Sequence, residues 1–235
     1  MDKQIDTIIE EIKKNIPVSP VFYITFTDKP GSYTSSKIGG SYYWPDDHIP
    51  ELKFLAQINF SELPENTIFP KEGLLQFFIR DDDSWGLFGK QPGWKVVFHE
   101  QIGDGVKIDQ EWPEGPVEKE SWMQFELTSE MMTYQDNHFD DYLPKQYRHY
   151  SENEDLFDKI WEIFFDEHSK LLGYPIFSQW DPRDKFDRSI LLFQLCSDRE
   201  GHIMWGDYGI GNFFITEEDL KNRDFSNVTY NWDCY

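Results

Sequence analysis

Few side chains in this sequence combine a reactive type with a suggestive spacing, and the densest group is Met204-Trp205-Gly206-Asp207, followed by Gly209 and Gly211. It puts an indole and a carboxylate beside glycine-rich backbone, which a ligand can approach closely. The same residues also fit a tight turn in which Asp207 caps local amides and Trp205 packs. Gln57 and Gln194 each stand inside an apolar run, where an unpaired buried amide costs roughly 1–3 kcal/mol. Their amides must bond neighbouring backbone or line a polar cleft, and if a pseudo-twofold relates them they line one groove. Gln57, Gln194, Trp205 and Asp207 are therefore the candidate ligand- or partner-binding residues.

Other chemistries find less support. The histidines at 48, 99, 138, 149, 168 and 202 form no His-x-x-x-His pair, so the signature of a zinc site is missing. His138 with Asp140 and Asp141 is the nearest approach to a ligand cluster, in a stretch whose composition equally suits a solvated loop. No metal or cofactor is expected. There is no nucleophile elbow, phosphate loop or dinucleotide-binding fingerprint, and no catalytic residue stands out. The 44 acidic residues leave room for a carboxylate pair of the hydrolase kind, but linear order selects none.

Strands must position the glutamines, and the chain writes those strands twice. Residues 209–215, Gly-Ile-Gly-Asn-Phe-Phe-Ile, match residues 73–79, Gly-Leu-Leu-Gln-Phe-Phe-Ile, at four of seven positions. Gln57 precedes Gly73 by sixteen residues and Gln194 precedes Gly209 by fifteen. Further upstream, Ser36-Lys37-Ile38-Gly39-Gly40 answers Ser169-Lys170-Leu171-Leu172-Gly173. Three elements in the same order at similar spacing indicate a duplicated unit. Ile5, Ile8, Ile9, Ile12 and Ile16 predict a helix over about 3–15 that Pro17 ends. Ser151 with Glu154 reads as a capping box opening a second helix over about 152–172, which Gly173 and Pro175 stop. Aromatic residues are 17% of the chain and suit half-buried strands. We therefore expect a mainly β (α+β) fold: roll-like antiparallel sheets from an internal duplication, with two main flanking helices. No linker separates the repeat-like halves, about 1–135 and 151–235, so residues 1–235 read as a single domain with one core.

The net charge is −22, and residues 100–158 carry 16 acids against 4 bases. Such a surface repels a phosphate backbone and an anionic membrane, so neither nucleic acid nor membrane is an expected partner; a basic protein is. Cys196 and Cys234 have no metal-like spacing, which suits reduced thiols. No apolar stretch is long enough to span a bilayer, and the expected location is cytoplasmic.

Gly39-Gly40, Phe54-Leu55-Ala56-Gln57-Ile58-Asn59, Gly73-Leu74-Leu75-Gln76-Phe77-Phe78, Gly173-Tyr174-Pro175, Leu192-Phe193-Gln194-Leu195, Met204-Trp205-Gly206-Asp207-Tyr208-Gly209 and Phe213-Phe214-Ile215 resemble the YwqG-like family of bacterial proteins. Those proteins carry a domain of unknown function. The resemblance spans nearly the whole chain. It implies a mainly β, roll-like fold with flanking helices and an internal duplication, and it brings no activity with it. It also implies a link of some members to toxin and immunity gene neighbourhoods. The expected function is a non-enzymatic protein-interaction module of immunity type that binds a basic partner. The alternatives are a small-molecule binding module with a cleft between the repeats, and a carboxylate-dependent hydrolase.

Overall fold

The computed structural model of the chain describes residues 2–46, 50–89, 93–111 and 115–235. His48 lies outside them. Strands β1 (Val18–Thr27) and β8 (Ser121–Met131) pair antiparallel from Val18↔Met131 to Thr27↔Trp122 and form the middle of a ten-stranded sheet. Outward from β8 follow β2 (Lys37–Ile38), β4 (Lys53–Asn59), β5 (Leu74–Ile79) and β6 (Trp94–His99). Outward from β1 follow β9 (Lys170–Leu172), β10 (Ile190–Cys196), β11 (Ile210–Ile215) and β12 (Thr229–Asp233). Strands β3 (Tyr42–Trp44) and β7 (Val106–Ile108) make a separate two-stranded ribbon. Every pairing is antiparallel.

The residues of β5 and β11 are buried at all six positions of each strand, so both faces of these strands must be covered. The sheet achieves this by curling. Phe77 on β5 lies 4.9 Å from Phe213 on β11 and 4.6 Å from Phe193 on β10, ring centre to ring centre. The terminal strands also meet, since Trp94 Nε1 donates to the Val228 carbonyl at 2.8 Å. One buried cluster draws Leu55, Phe77, Leu195 and Phe213 together with Phe22 from the central pair. On the outer face, Tyr42 and Trp44 of the ribbon cover Phe54 and Phe78, and Phe177 covers Leu191 and Phe214.

Several local features of the two flanks correspond. Each has a bulge near the start of its long strand, between Phe54 and Ala56 in β4 and between Leu191 and Phe193 in β10. Ser36 Oγ accepts from Asn59 N at 2.8 Å, and Ser169 Oγ accepts from Cys196 N at 3.0 Å. Gln76 Nε2 donates to the Tyr43 carbonyl and Asn212 Nδ2 to the Ile176 carbonyl.

Helix α1 (Asp2–Lys13) presents Ile5, Ile9 and Ile12 to Leu156, Ile160 and Phe164 of α3 (Glu154–Phe164), with Phe139 of the short α2 (Phe139–Tyr142) between them. A fourth short helix, α4 (Glu217–Asn222), follows β11 and is capped by Thr216 Oγ1, which accepts from Asp219 N at 3.0 Å. The second main helix is shorter than the expected 152–172. Asn153, not Ser151, caps it, its Oδ1 accepting from Leu156 N at 3.1 Å, and Phe165 turns extended. Residues 170–172 form β9 because both sheet neighbours, β1 and β10, have open edges there to pair with. No helix among the described residues is long and apolar enough to cross a membrane.

Candidate functional site

The repeated Ser-Lys segments place two lysines inside the protein. Lys37 on β2 and Lys170 on β9 are 1% and 0% exposed, which a lysine tolerates only with a partner. Lys37 Nζ donates to Glu120 Oε1 at 2.6 Å. Lys170 Nζ donates to both oxygens of Glu130 on β8 at 3.0 Å. The glycines after each lysine make room for the carboxylate. Gly40 has φ +65° and a Cβ there would sit 2.5 Å from Glu120 Oε1; Gly173 has φ +74° and a Cβ there would sit 2.0 Å from Glu130 Oε1. Only glycine suits both demands.

Around Lys170 the pair extends into a chain of titratable groups. The single hydroxyl hydrogen of Tyr23 on β1 goes to Asp166, with Glu130 Oε2 3.0 Å away as a weaker second acceptor, and the other oxygen of Asp166 meets His168 Nδ1. Burial pushes the Tyr23 hydroxyl well above its usual range, reinforced by its bond to Asp166. Burial also raises Glu130, against the opposing pull of Lys170. For Asp166 burial acts upward, but hydrogen bonds from His168 and Tyr23 prevail and hold it below the usual carboxylate range. The bond to Asp166 raises the His168 imidazole in turn. A cavity of about 300 Å³ touches Tyr23, Glu130 and Asp166. Both carboxylates are already committed, Glu130 to Lys170 and the Tyr174 amide at 2.6 Å, and Asp166 to His168 and Tyr23.

A larger groove, of about 780 Å³, is lined in part by residues 172–175. Pro17, Ser19, Pro20, Thr67 and Ile68 line it from the first half of the chain, and Leu172, Pro175, Arg188, Leu191 and Lys221 from the second. Leu172 has φ +60°, an uncommon and strained conformation for a branched side chain. Met132 from the end of the first half, and Asp136, His138 and Tyr142 from the segment between the halves, complete its lining. The Arg183 guanidinium is clasped by Asp136 at 2.8 Å and Asp181 at 2.6 Å and lies 4.8 Å from the centre of the Phe214 ring. Arg188 Nη1 meets His138 Nδ1 at 3.0 Å, while His138 Nε2 meets the Asp187 carbonyl at 3.0 Å. A guanidinium can only donate, so Nδ1 accepts and Nε2 carries the hydrogen.

The candidate residues from the sequence lie elsewhere. Gln57 Nε2 donates to the carbonyls of Tyr33 and Ser35, and Gln194 Nε2 donates to that of His168 while its Oε1 accepts from Ile176 N. Both are fully buried. Trp205 is fully buried against Trp85 and Trp232, and Asp207 is exposed in the turn after it. None of the four lines either cavity. The expected cleft of these residues is thus replaced by backbone-satisfied amides and a packed indole. His138 is held by Arg188, with Asp141 Oδ2 3.5 Å from its Nδ1. Among the described residues no three His, Cys, Asp or Glu side chains converge to hold a metal ion. Linear order hid Lys37 and Lys170; their signal was a lysine recurring in an apolar strand three residues before a glycine.

These features define a mainly β protein built on a curled antiparallel sheet, with a groove where its halves meet. The chain belongs to the family described as a domain of unknown function, DUF1963, whose model matches residues 36–234. No curated protein matches it.

Proposed function

We propose that this protein is a small-molecule binding module whose ligand lies in the groove between the two halves of the chain. The observation that carries the reading is the groove itself: its volume of about 780 Å³ falls in the range of small-molecule sites, and its walls combine apolar side chains such as Ile68, Leu172 and Leu191 with convergent polar and charged groups. Arg188, oriented by His138, and Lys221 on α4 supply the charge. Amide-resolved NMR of the labelled full chain with a library of small organic compounds tests it. Shifts clustered at residues 172–175, 188–191 and 216–221 are expected; shifts that scatter, or none, overturn it.

A second reading rests on the surface. Trp180 and Phe186 are 70% and 77% exposed on a chain of net charge −22, which supports docking of a basic protein partner, as in an immunity-type role. Salt-sensitive, stoichiometric capture of one basic protein by the intact chain, lost on replacing Phe186, is its test. We further propose that the flanks descend from one duplicated unit packed as a single domain. The matching bulges, serine bonds, buried lysines and glycines support that descent. The narrower YwqG-like kinship, a bacterial source and a cytoplasmic location are part of the same proposal, supported by the motifs and by two unpaired cysteines.

A further inference from the structure

We propose that the groove takes a small organic monoanion, a carboxylate on an apolar body, and that Arg188 is its anchor; this rests on the reading of the groove as a ligand site. The groove is lined by three cations, Arg183, Arg188 and Lys221, and a guanidinium among them without a carboxylate partner is the candidate anchor. Arg183 is not such a cation, being clasped by Asp136 and Asp181. Arg188 is: among the described residues its guanidinium meets only the lone pair of His138 Nδ1. That contact is itself built. The Asp187 carbonyl at 3.0 Å fixes the His138 tautomer, His138 is 8% exposed, and its lone pair steers one edge of the guanidinium. The remaining donors of the fork are then free for a ligand, in the geometry that matches a carboxylate.

The other charges narrow the choice. Lys221 lines the same groove and has no ion-pair partner among the described residues, although Glu217 precedes it by one helical turn. Asp136, Asp187 and Glu217 also line the groove. With Asp136 neutralised by Arg183, Asp187 and Glu217 disfavour a phosphate dianion by like-charge repulsion, whereas one negative charge is met by Arg188. The walls, including Ile68, Leu172 and Leu191, suit an apolar body.

The test uses the full chain and anilinonaphthalene sulfonate, an apolar monoanion whose fluorescence reports burial, displaced by octanoate or by octan-1-ol. We expect octanoate to displace it about tenfold more effectively than the alcohol. Arg188→Gln should weaken octanoate about tenfold and leave the alcohol unchanged, with Arg188→Lys in between because it keeps charge and loses the fork. Arg188 is exposed, so the variants should fold, and an unchanged unfolding curve checks this. Equal displacement by both competitors, unaltered in Arg188→Gln, overturns the anion inference while leaving a ligand groove standing. If Ser19→Trp, which fills the groove, leaves dye binding unchanged, the dye binds elsewhere and both readings fall.

Discussion

Lysine burial is the costliest choice this sequence makes, and the two copies of it differ in one respect. Glu130 is 5% exposed beside Lys170, whereas Glu120 is 32% exposed beside Lys37. Removing one partner of a fully buried pair costs about 3–5 kcal/mol because the other charge is stranded. Lys170→Met should therefore lower the urea unfolding free energy by about that amount, and adding Glu130→Gln should restore most of it. Lys37→Met should cost less, since water reaches Glu120; equal losses for the two would contradict this account of the pairs. His168 supplies a pH dependence. The hydrogen bond to Asp166 raises its pKa above the ordinary imidazole value, with Tyr23, Glu130 and Lys170 packed nearby. A raised pKa means stability that is complete below the ordinary value and lost as pH climbs through the folded one. As pH rises above about 6.5, the Tm should fall by more in the wild type than in His168→Gln; parallel curves would remove His168 from the explanation.

Among the elements, α3 shows how a local signal can be right in kind and wrong in extent. The apolar spacing of Leu156, Ile160 and Phe164 is helical and buried, but Leu171 and Leu172 continue that spacing by coincidence while pairing as strand residues with Phe22 and Val21. Asn153→Ala should cost about 1 kcal/mol of stability through the lost cap, and Ser151→Ala should cost almost nothing because Ser151 caps no helix. Chemical denaturation of the two variants checks this, and a larger loss for Ser151→Ala would restore the longer helix. The strands were more legible. The Phe-Phe-Ile runs are strands in both flanks. Short β2 and β9 were not, since two or three residues carry no period of their own.

For the whole molecule, the contact of Phe77 with Phe193 and Phe213 joins strands from the two ends of the sheet. Truncating a fully buried Phe costs about 3–5 kcal/mol, so Phe77→Ala and Phe213→Ala should each unfold at markedly lower urea. Because the rings touch, the double variant should lose less than the sum of the two. Strict additivity would mean that the flanks do not share this core. The same closure brings Pro17, Ile68, Leu172 and Leu220 around one groove, although no two of them are close in sequence.

The sequence by itself determined the mainly β character, the isoleucine face of α1 and the paired Ser-Lys and Phe-Phe-Ile segments, because burial periodicity and turn-forming glycines are local properties. Tertiary structure alone decided which carboxylate each lysine meets, 83 residues away for Lys37 and 40 for Lys170, and that Gln57 and Gln194 satisfy backbone rather than a ligand. It also decided that Arg188 and His138, 50 residues apart, share an edge of the groove. Such contacts arise only when the sheet curls, and curling is set by the packing of all its strands together.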